Sequence, residues 1–176
     1  MKIIFAFLFL FIIENTSGAR KPAPMYDCQV TFRIVNAGVE VTGTLKVDQL
    51  EIKFDPEALP QSNVFAIADP ATLQTGIGIR NKHLKRRDYF DVEKYPEIRL
   101  ASKGFRKEGK NKFSGEFNLT IKDVTRTIVI PFTVRREREV TRYQGSFEIS
   151  RLDFGLGEKS MILDEKVNIT IQVMMR

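Results

Sequence analysis

The sequence predicts an all-β fold, a single antiparallel barrel of eight strands carrying one short helical lid segment. Three observations predict it. From Cys28 onward, apolar and polar residues alternate with period two almost throughout, the mark of strands with one buried and one wet face. Turn-forming clusters cut that alternation at intervals, and only one long polar stretch, Thr75 to Ser102, interrupts it. The chain has one cysteine, Cys28, so no intrachain disulfide can form and the domain must rest on its core. Eight strands with one apolar face either stack as two sheets or close on themselves. Closure removes the exposed edges that invite aggregation, and a barrel is therefore expected.

Before the strands, Lys2 is followed by the apolar run Ile3 to Ile13, too short to cross a bilayer and of the right length for a signal-peptide core. Ser17-Gly18-Ala19 offers small residues for cleavage. Residues 1–19 are expected to be a signal peptide and residues 20–176 one domain; an anchor that stays attached is the alternative. No cysteine follows the apolar run closely, so the attachment site of an exported bacterial lipoprotein is missing. A periplasmic or secreted protein is expected.

Val30, Phe32 and Ile34 share one face of the first strand, opposite Gln29, Thr31 and Arg33. After the turn Asn36-Ala37-Gly38, Val39, Val41 and Leu45 alternate with polar residues, and Leu50, Ile52 and Phe54 continue the theme, which reads as two or three strands in all. Asp55 as a cap with Pro56 at the first helical position predicts one helical turn before the strand Val64 to Ala68. In the long interruption, Gly76 and Gly78 bracket a bend, Asn81 can cap a helix over Lys82 to Phe90, and Tyr95-Pro96 ends it. This segment is either a lid over one end of the barrel or a connecting helix on its edge. The meander resumes at Ile98 and Leu100, turns at Lys107 to Asn111, and runs through the clean alternation Phe113 to Ile121. A turn over Asp123 to Arg126, a strand Ile128 to Val134, a charged reversal over Arg135 to Glu139, and strands Tyr143 to Ile149 and Val167 to Val173 complete it. Gly43, Gly115 and Gly145 fall on the inward register, where they permit strand coiling or leave space in the lumen.

Several of these stretches carry a resemblance. Arg80-x-x-His83-Leu84-Lys85 followed by DYFDVEKYPEI, together with Asn36-Ala37-Gly38, Val41-Thr42-Gly43-Thr44, Phe54-Asp55-Pro56, the GEFNLTIKDVT run from Gly115 and ISRLDFG from Ile149, resembles the YceI-like family of exported lipid-binding proteins. The resemblance spans about Thr31 to Val173 and implies a lipocalin-like barrel and a polyisoprenoid ligand. The sequence departs from that pattern at Asn81, where the family usually has an acid, and at Asp123, where it usually has glycine.

Catalytic chemistry is not assembled in the sequence. His83 is the only histidine, so no histidine-based metal site can form, and Cys28 shows no dyad spacing with it. No phosphate-binding or dinucleotide fingerprint follows Gly76 or Gly78, and no cofactor is expected. His83 could still touch the polar head of a ligand, act as a pH-sensitive latch, serve as the acid or base of a lipid-modifying barrel, or simply face solvent. The formal net charge is +6. Lys82, Lys85, Arg86 and Arg87 cluster on the lid segment, and Arg135, Arg136 and Arg138 in a later turn. They suit transient contact with an anionic membrane surface, or an anionic head at the barrel mouth, as well as plain solvation. Nucleic acid is not expected, because the aromatic residues lie on the inward register rather than among the cations.

What remains is the inward wall. Fourteen phenylalanines and no tryptophan suit an isoprenoid or fatty-acyl chain that makes no hydrogen-bond demands. Strand register puts Phe32, Phe54, Phe113, Phe117, Ile128, Phe132 and Phe147 toward the lumen, with Leu84 and Phe90 as lid contacts. The expectation is an extracytoplasmic binding protein for a long apolar lipid; the alternative is a structural barrel whose rings fill its core. A barrel edge or the Cys28 thiol would be the means by which two copies could form a homodimer.

Overall fold

The structure, a computed structural model, describes residues 26–176. The expected signal peptide and its cleavage site lie outside the described residues. Eight antiparallel strands close into a barrel in chain order. They are β1 (Tyr26–Asn36), β2 (Val39–Lys53), β3 (Asn63–Gln74), β4 (Ile98–Lys107), β5 (Lys112–Ile121), β6 (Val124–Glu137), β7 (Val140–Ser150) and β8 (Lys166–Met175). β1 seals the barrel: Phe32 lies opposite Gly43 of β2 on one side and Ile169 of β8 on the other. Closure leaves no free edge among the described strands, so edge pairing is not a route to a dimer.

The two ends of the barrel differ. At one, the lid end, lie the Ala37-Gly38 and Lys122-Asp123 turns, the connection 75–97 and the segment 151–165. At the other lie the connection 54–62, the turn 108–111, the Arg138-Glu139 turn and the end of β8. The two basic clusters read from the sequence therefore sit at opposite ends. Only the one on the lid segment is near the lid.

The connections depart from the sequence expectations for identifiable reasons. The helix of the lid, α1, spans Gly78–Leu84 rather than Lys82 to Phe90, and Asn81 lies inside it as a buried residue instead of capping it. Its side chain is committed elsewhere: Oδ1 accepts from the Thr75 amide (2.9 Å) and hydroxyl (2.7 Å), and Nδ2 donates to Gln74 Oε1 (2.7 Å). That amide fastens α1 to the end of β3. The helical turn expected at Asp55–Leu59 is a 3-10 turn over Leu59–Gln61, because the Asp55 carboxylate accepts from the Glu57 amide and holds a separate turn before it. β2 is a single strand. Its apolar positions shift from Val41, Leu45 and Val47 to Leu50 and Ile52, and a β-bulge between Val47 and Gln49 absorbs the slip so that both sets face inward. β3 continues through Asp69-Pro70 to Gln74. There Pro70 offers no amide, the ladder shifts, and the Thr72 hydroxyl accepts from the Lys46 amide at 3.0 Å. The two later reversals are tighter than expected, with Ile121 paired to Val124 and Glu137 to Val140 across two-residue turns. Lys122 and Arg138 take the left-handed φ these turns need, +57° and +54°.

The three inward glycines leave no free space. Each faces a phenylalanine directly across the ladder: Phe32 opposite Gly43, Phe105 opposite Gly115, Phe132 opposite Gly145. A Cβ at Gly43 would come within 2.3 Å of the Phe32 ring and 2.7 Å of the Gln74 carbonyl oxygen. At Gly115 it would meet the Phe117 and Phe105 rings, and at Gly145 Ile130, Pro131 and Phe132. The glycines are seats on which rings and neighbouring side chains lie flat against the wall.

Candidate functional site

Packing inside the barrel is uneven. Phe113, Phe117, Leu119 and Ile121 of β5 are all buried, whereas the inward residues of β1, namely Cys28, Val30, Phe32 and Ile34, keep part of their surface accessible. Residues that point inward yet stay accessible face a hollow. The hollow is a cavity of about 550 Å³, inside the range of roughly 300–1,000 Å³ in which ligand pockets fall. Its wall is almost wholly aliphatic and aromatic, drawn from every strand of the barrel.

An aromatic cluster forms the floor. Phe54 is its hub, meeting Phe105 (5.3 Å), Phe113 (5.1 Å) and Phe132 (5.4 Å) nearly edge-on, while Phe113 and Phe132 stack at 5.7 Å. Edge-to-face contacts let the ring quadrupoles attract and fix the rings in place. Tyr143 joins from 6.1 Å, and its burial raises its hydroxyl above the ordinary pKa.

The roof mixes polar with apolar groups on its cavity side. Arg80, His83, Leu84, Tyr89 and Phe90 from the lid segment line the cavity, as do Glu158, Ser160 and Leu163 from the segment after β7. The two roof pieces are joined. The Gly157 amide donates to the Asp88 carbonyl (2.8 Å), and the Tyr89 ring lies so close to Gly157 that a Cβ there would be 2.9 Å away. His83 Nε2 pairs with Asp88 Oδ2 at 2.7 Å, and His83 stands edge-on to Tyr89 at 5.0 Å. The hydrogen bond from His83 holds the Asp88 carboxyl below its ordinary pKa. Arg80 is anchored to Thr75, with Nε donating to the hydroxyl (2.7 Å) and Nη2 to the carbonyl (2.6 Å). Arg151 is 2% exposed, and its guanidinium is held by main-chain oxygens: Nε donates to Asp164 (2.9 Å), Nη1 to Leu156 (2.8 Å), and Nη2 to Glu158 (2.8 Å) and Leu163 (3.4 Å). It moulds the segment 156–164 into the roof.

Of the residues read as lumen-facing, Phe32, Phe54, Leu84, Phe90, Phe117, Phe132 and Phe147 stand on the cavity wall. Phe113 and Ile128 do not. Phe113 is stacked behind Phe132 in the floor, and Ile128, opposite Phe117 on the ladder, packs against the core cluster around Leu119, Phe154 and Leu156. Cys28 is on the wall, where burial pushes its thiol up to about 11, with Asp27 adding to the effect. A thiol facing the interior is no route to a covalent dimer. Arg80 and Arg151 lie in stretches that carry the family resemblance but were given no role in the site from the sequence; register offered a signal for the second, since Phe147, Ile149 and Arg151 continue one inward alternation and a cation on that face calls for partners.

Residues 27–175 match the family model for the YceI-like domain. A UPF0312 protein of Photorhabdus laumondii is 31% identical over 151 residues, which is 80% of this chain and 78% of that protein. Among solved structures, Burkholderia cenocepacia BcnA superposes with a TM-score of 0.80 at 25% identity, covering 84% of this chain and 95% of BcnA. A polyisoprenoid binding domain from Saccharophagus degradans has the same fold, with a TM-score of 0.65 at 13% identity over 85% of this chain and 93% of that one.

Proposed function

The chain belongs to the YceI-like family, and from that premise we propose that it is an extracytoplasmic binding protein that carries a long apolar lipid, a polyisoprenoid or fatty-acyl chain, inside its barrel. One observation carries this reading: a hollow of about 550 Å³ with an apolar wall, with a cluster of rings at one end and a separate lid segment at the other. The name of the Saccharophagus domain supports the isoprenoid class. Each methylene transferred from water to such a wall contributes about 0.8 kcal/mol, so a medium acyl chain or a few isoprene units suffices to offset the cost of association.

The unequal ends orient the ligand. The tail lies toward Phe54 and the polar end toward Arg80, His83 and Tyr89, which are among the polar side chains lining the cavity at the lid end. Binding rather than turnover is the better reading of His83, because its imidazole is tied to Asp88 and both side chains are about half exposed. Solvent extraction of gently purified protein followed by mass spectrometry tests the proposal. A hydrocarbon-tailed molecule in molar proportion to protein is expected. Repeatedly empty protein that also fails to take up polyprenyl and fatty-acyl probes sinks it.

A further inference from the structure

The large apolar side chains left in solvent are not scattered. Val39, Ile77, Ile79, Met161 and Ile162 are all more than half exposed, Ile79 at 81% and Met161 completely, and all five lie at the lid end; Val129, on the outer wall of β6, is the exception. Val39 and Ile162 are neighbours. Val39 follows the Ala37-Gly38 turn, whose Ala37 amide donates to the Ile162 carbonyl, and Asn36 bridges to Leu163. β3 leaves the sheet where Gln74 pairs with Thr44, heading toward the end of β2 that carries Val39, and delivers Ile77 and Ile79 at the start of α1. Cavity-lining groups lie beside these residues in the chain: Arg80 and Leu84 from α1, and Ser160 and Leu163 from the facing segment.

The charge beside the patch is mainly positive on the lid segment, where Arg80, Lys82, Lys85, Arg86 and Arg87 follow Ile79 with no acid among residues 80–87; the facing segment carries Lys159 two residues before Met161 together with the acids Glu158, Asp164 and Glu165. None of the six cations is in an ion pair among the described residues. Asp88, the first acid after this run, is paired with His83. Exposed aliphatic tips flanked by unpaired cations match a bilayer with anionic headgroups, which receives the tips in its acyl boundary and the cations in its phosphate layer. A folded protein partner would be expected to bring carboxylates and shape; this surface offers exposed aliphatic tips and a run of cations outside any ion pair among the described residues.

We propose that the lid end docks on anionic phospholipid bilayers through Ile77, Ile79, Met161 and Ile162, with Lys82 and Arg86 supplying the charge, so that the cavity is presented to the membrane. Its purpose rests on the carrier reading, but its test does not. Full-length mature protein is centrifuged with phosphatidylcholine vesicles and with vesicles containing phosphatidylglycerol. Partition to the anionic vesicles that weakens with salt is expected. The Ile79→Ser/Met161→Ser variant should bind them at least about tenfold more weakly, since two aliphatic side chains are withdrawn from the acyl boundary. Lys82→Glu and Arg86→Glu should each weaken binding about fivefold or more. All these positions are exposed, and unchanged melting curves confirm that the fold is intact. Equal partition to both kinds of vesicle, none to either, or partition that the variants leave unchanged overturns the proposal, as does retention of the wild type by a membrane protein but not by protein-free vesicles. Uptake of a polyprenyl probe from detergent, measured on the same variants, reports the cavity independently.

Discussion

Gly43 and Arg151 are two residues at which the barrel has no slack. A methyl group on Gly43 would meet the tip of the Phe32 ring and the Gln74 carbonyl together. The ring can swing away only into the cavity, and the carbonyl only by moving the end of β3 that carries α1. Gly43→Ala is therefore expected to cost about 1–3 kcal/mol, the usual range for overpacking, visible as a lowered melting temperature. It should also reduce probe uptake, because the displaced ring enters the hollow. Arg151 poses the opposite problem. Removing its guanidinium leaves the carbonyls of Leu156, Glu158, Leu163 and Asp164 without their donor. At about 1–3 kcal/mol for a stranded buried acceptor, Arg151→Leu should lose at least about 3 kcal/mol in denaturant unfolding, with proteolysis appearing first in residues 156–164. A variant as stable as the parent would show that the segment holds its shape without the arginine. Register made Arg151 conspicuous in the sequence, but its partners are main-chain oxygens, which no side-chain pattern advertises. The glycines were visible as interruptions of bulk; that each seats a ring from the facing strand needed the register between strands.

Strands and connections were unequally legible. Period-two alternation placed all eight strands, because it follows from a pleated chain having one face in water and one in the core. The lid helix was displaced because Asn81 suits a helix cap in isolation and is bound to Thr75 and Gln74 in the fold, a contact between elements that local propensity does not contain. How the lid stays down has a pH signature. The Asp88 carboxyl is held below its ordinary value by the hydrogen bond from His83. A carboxyl depressed in the fold adds stability that is complete above its unfolded value, about 3.9, and is lost as pH falls through the lower folded value. Both side chains are about half exposed, 52% and 56%, so solvent screens the pair and its contribution is small. Asp88→Asn should thus leave the global melting temperature nearly unchanged while loosening the lid at pH 5. The Gly157 amide, which donates to the Asp88 carbonyl, reports this by its NMR shift and exchange rate. Parent and variant should differ at pH 5 and converge only as pH falls through the lowered folded value of the Asp88 carboxyl, below about 3.9. No difference at pH 5 would assign the lid's closure to the Tyr89–Gly157 contact instead.

At the scale of the whole molecule, the question is whether the barrel gains anything by being hollow. Sequence determines which side chains face inward, but not whether they meet in the middle; that depends on barrel diameter and on where the rings collect. Here the rings of Phe54, Phe105, Phe113 and Phe132 gather at one end, and the rest of the wall, aliphatic groups with Phe32, Phe117 and Phe147 among them, does not meet in the middle. Ala66 lies on that middle wall, between Leu50 on β2 and Leu100 on β4. In a well-packed core, Ala66→Trp would cost about 1–3 kcal/mol through overpacking. In a cavity of about 550 Å³ the indole has room, so the melting temperature should stay close to that of the parent while lipid uptake falls steeply. Cys28 supplies a second readout from the same wall. Its thiol, raised to about 11, should alkylate slowly at neutral pH in the empty protein. It should alkylate more slowly still when a bound chain, or the indole at position 66, covers it. If Ala66→Trp unfolds the protein, the interior is tighter than its geometry indicates. If the variant is stable and still takes up lipid as the parent does, the ligand lies outside the barrel, and the hollow is a by-product of closure.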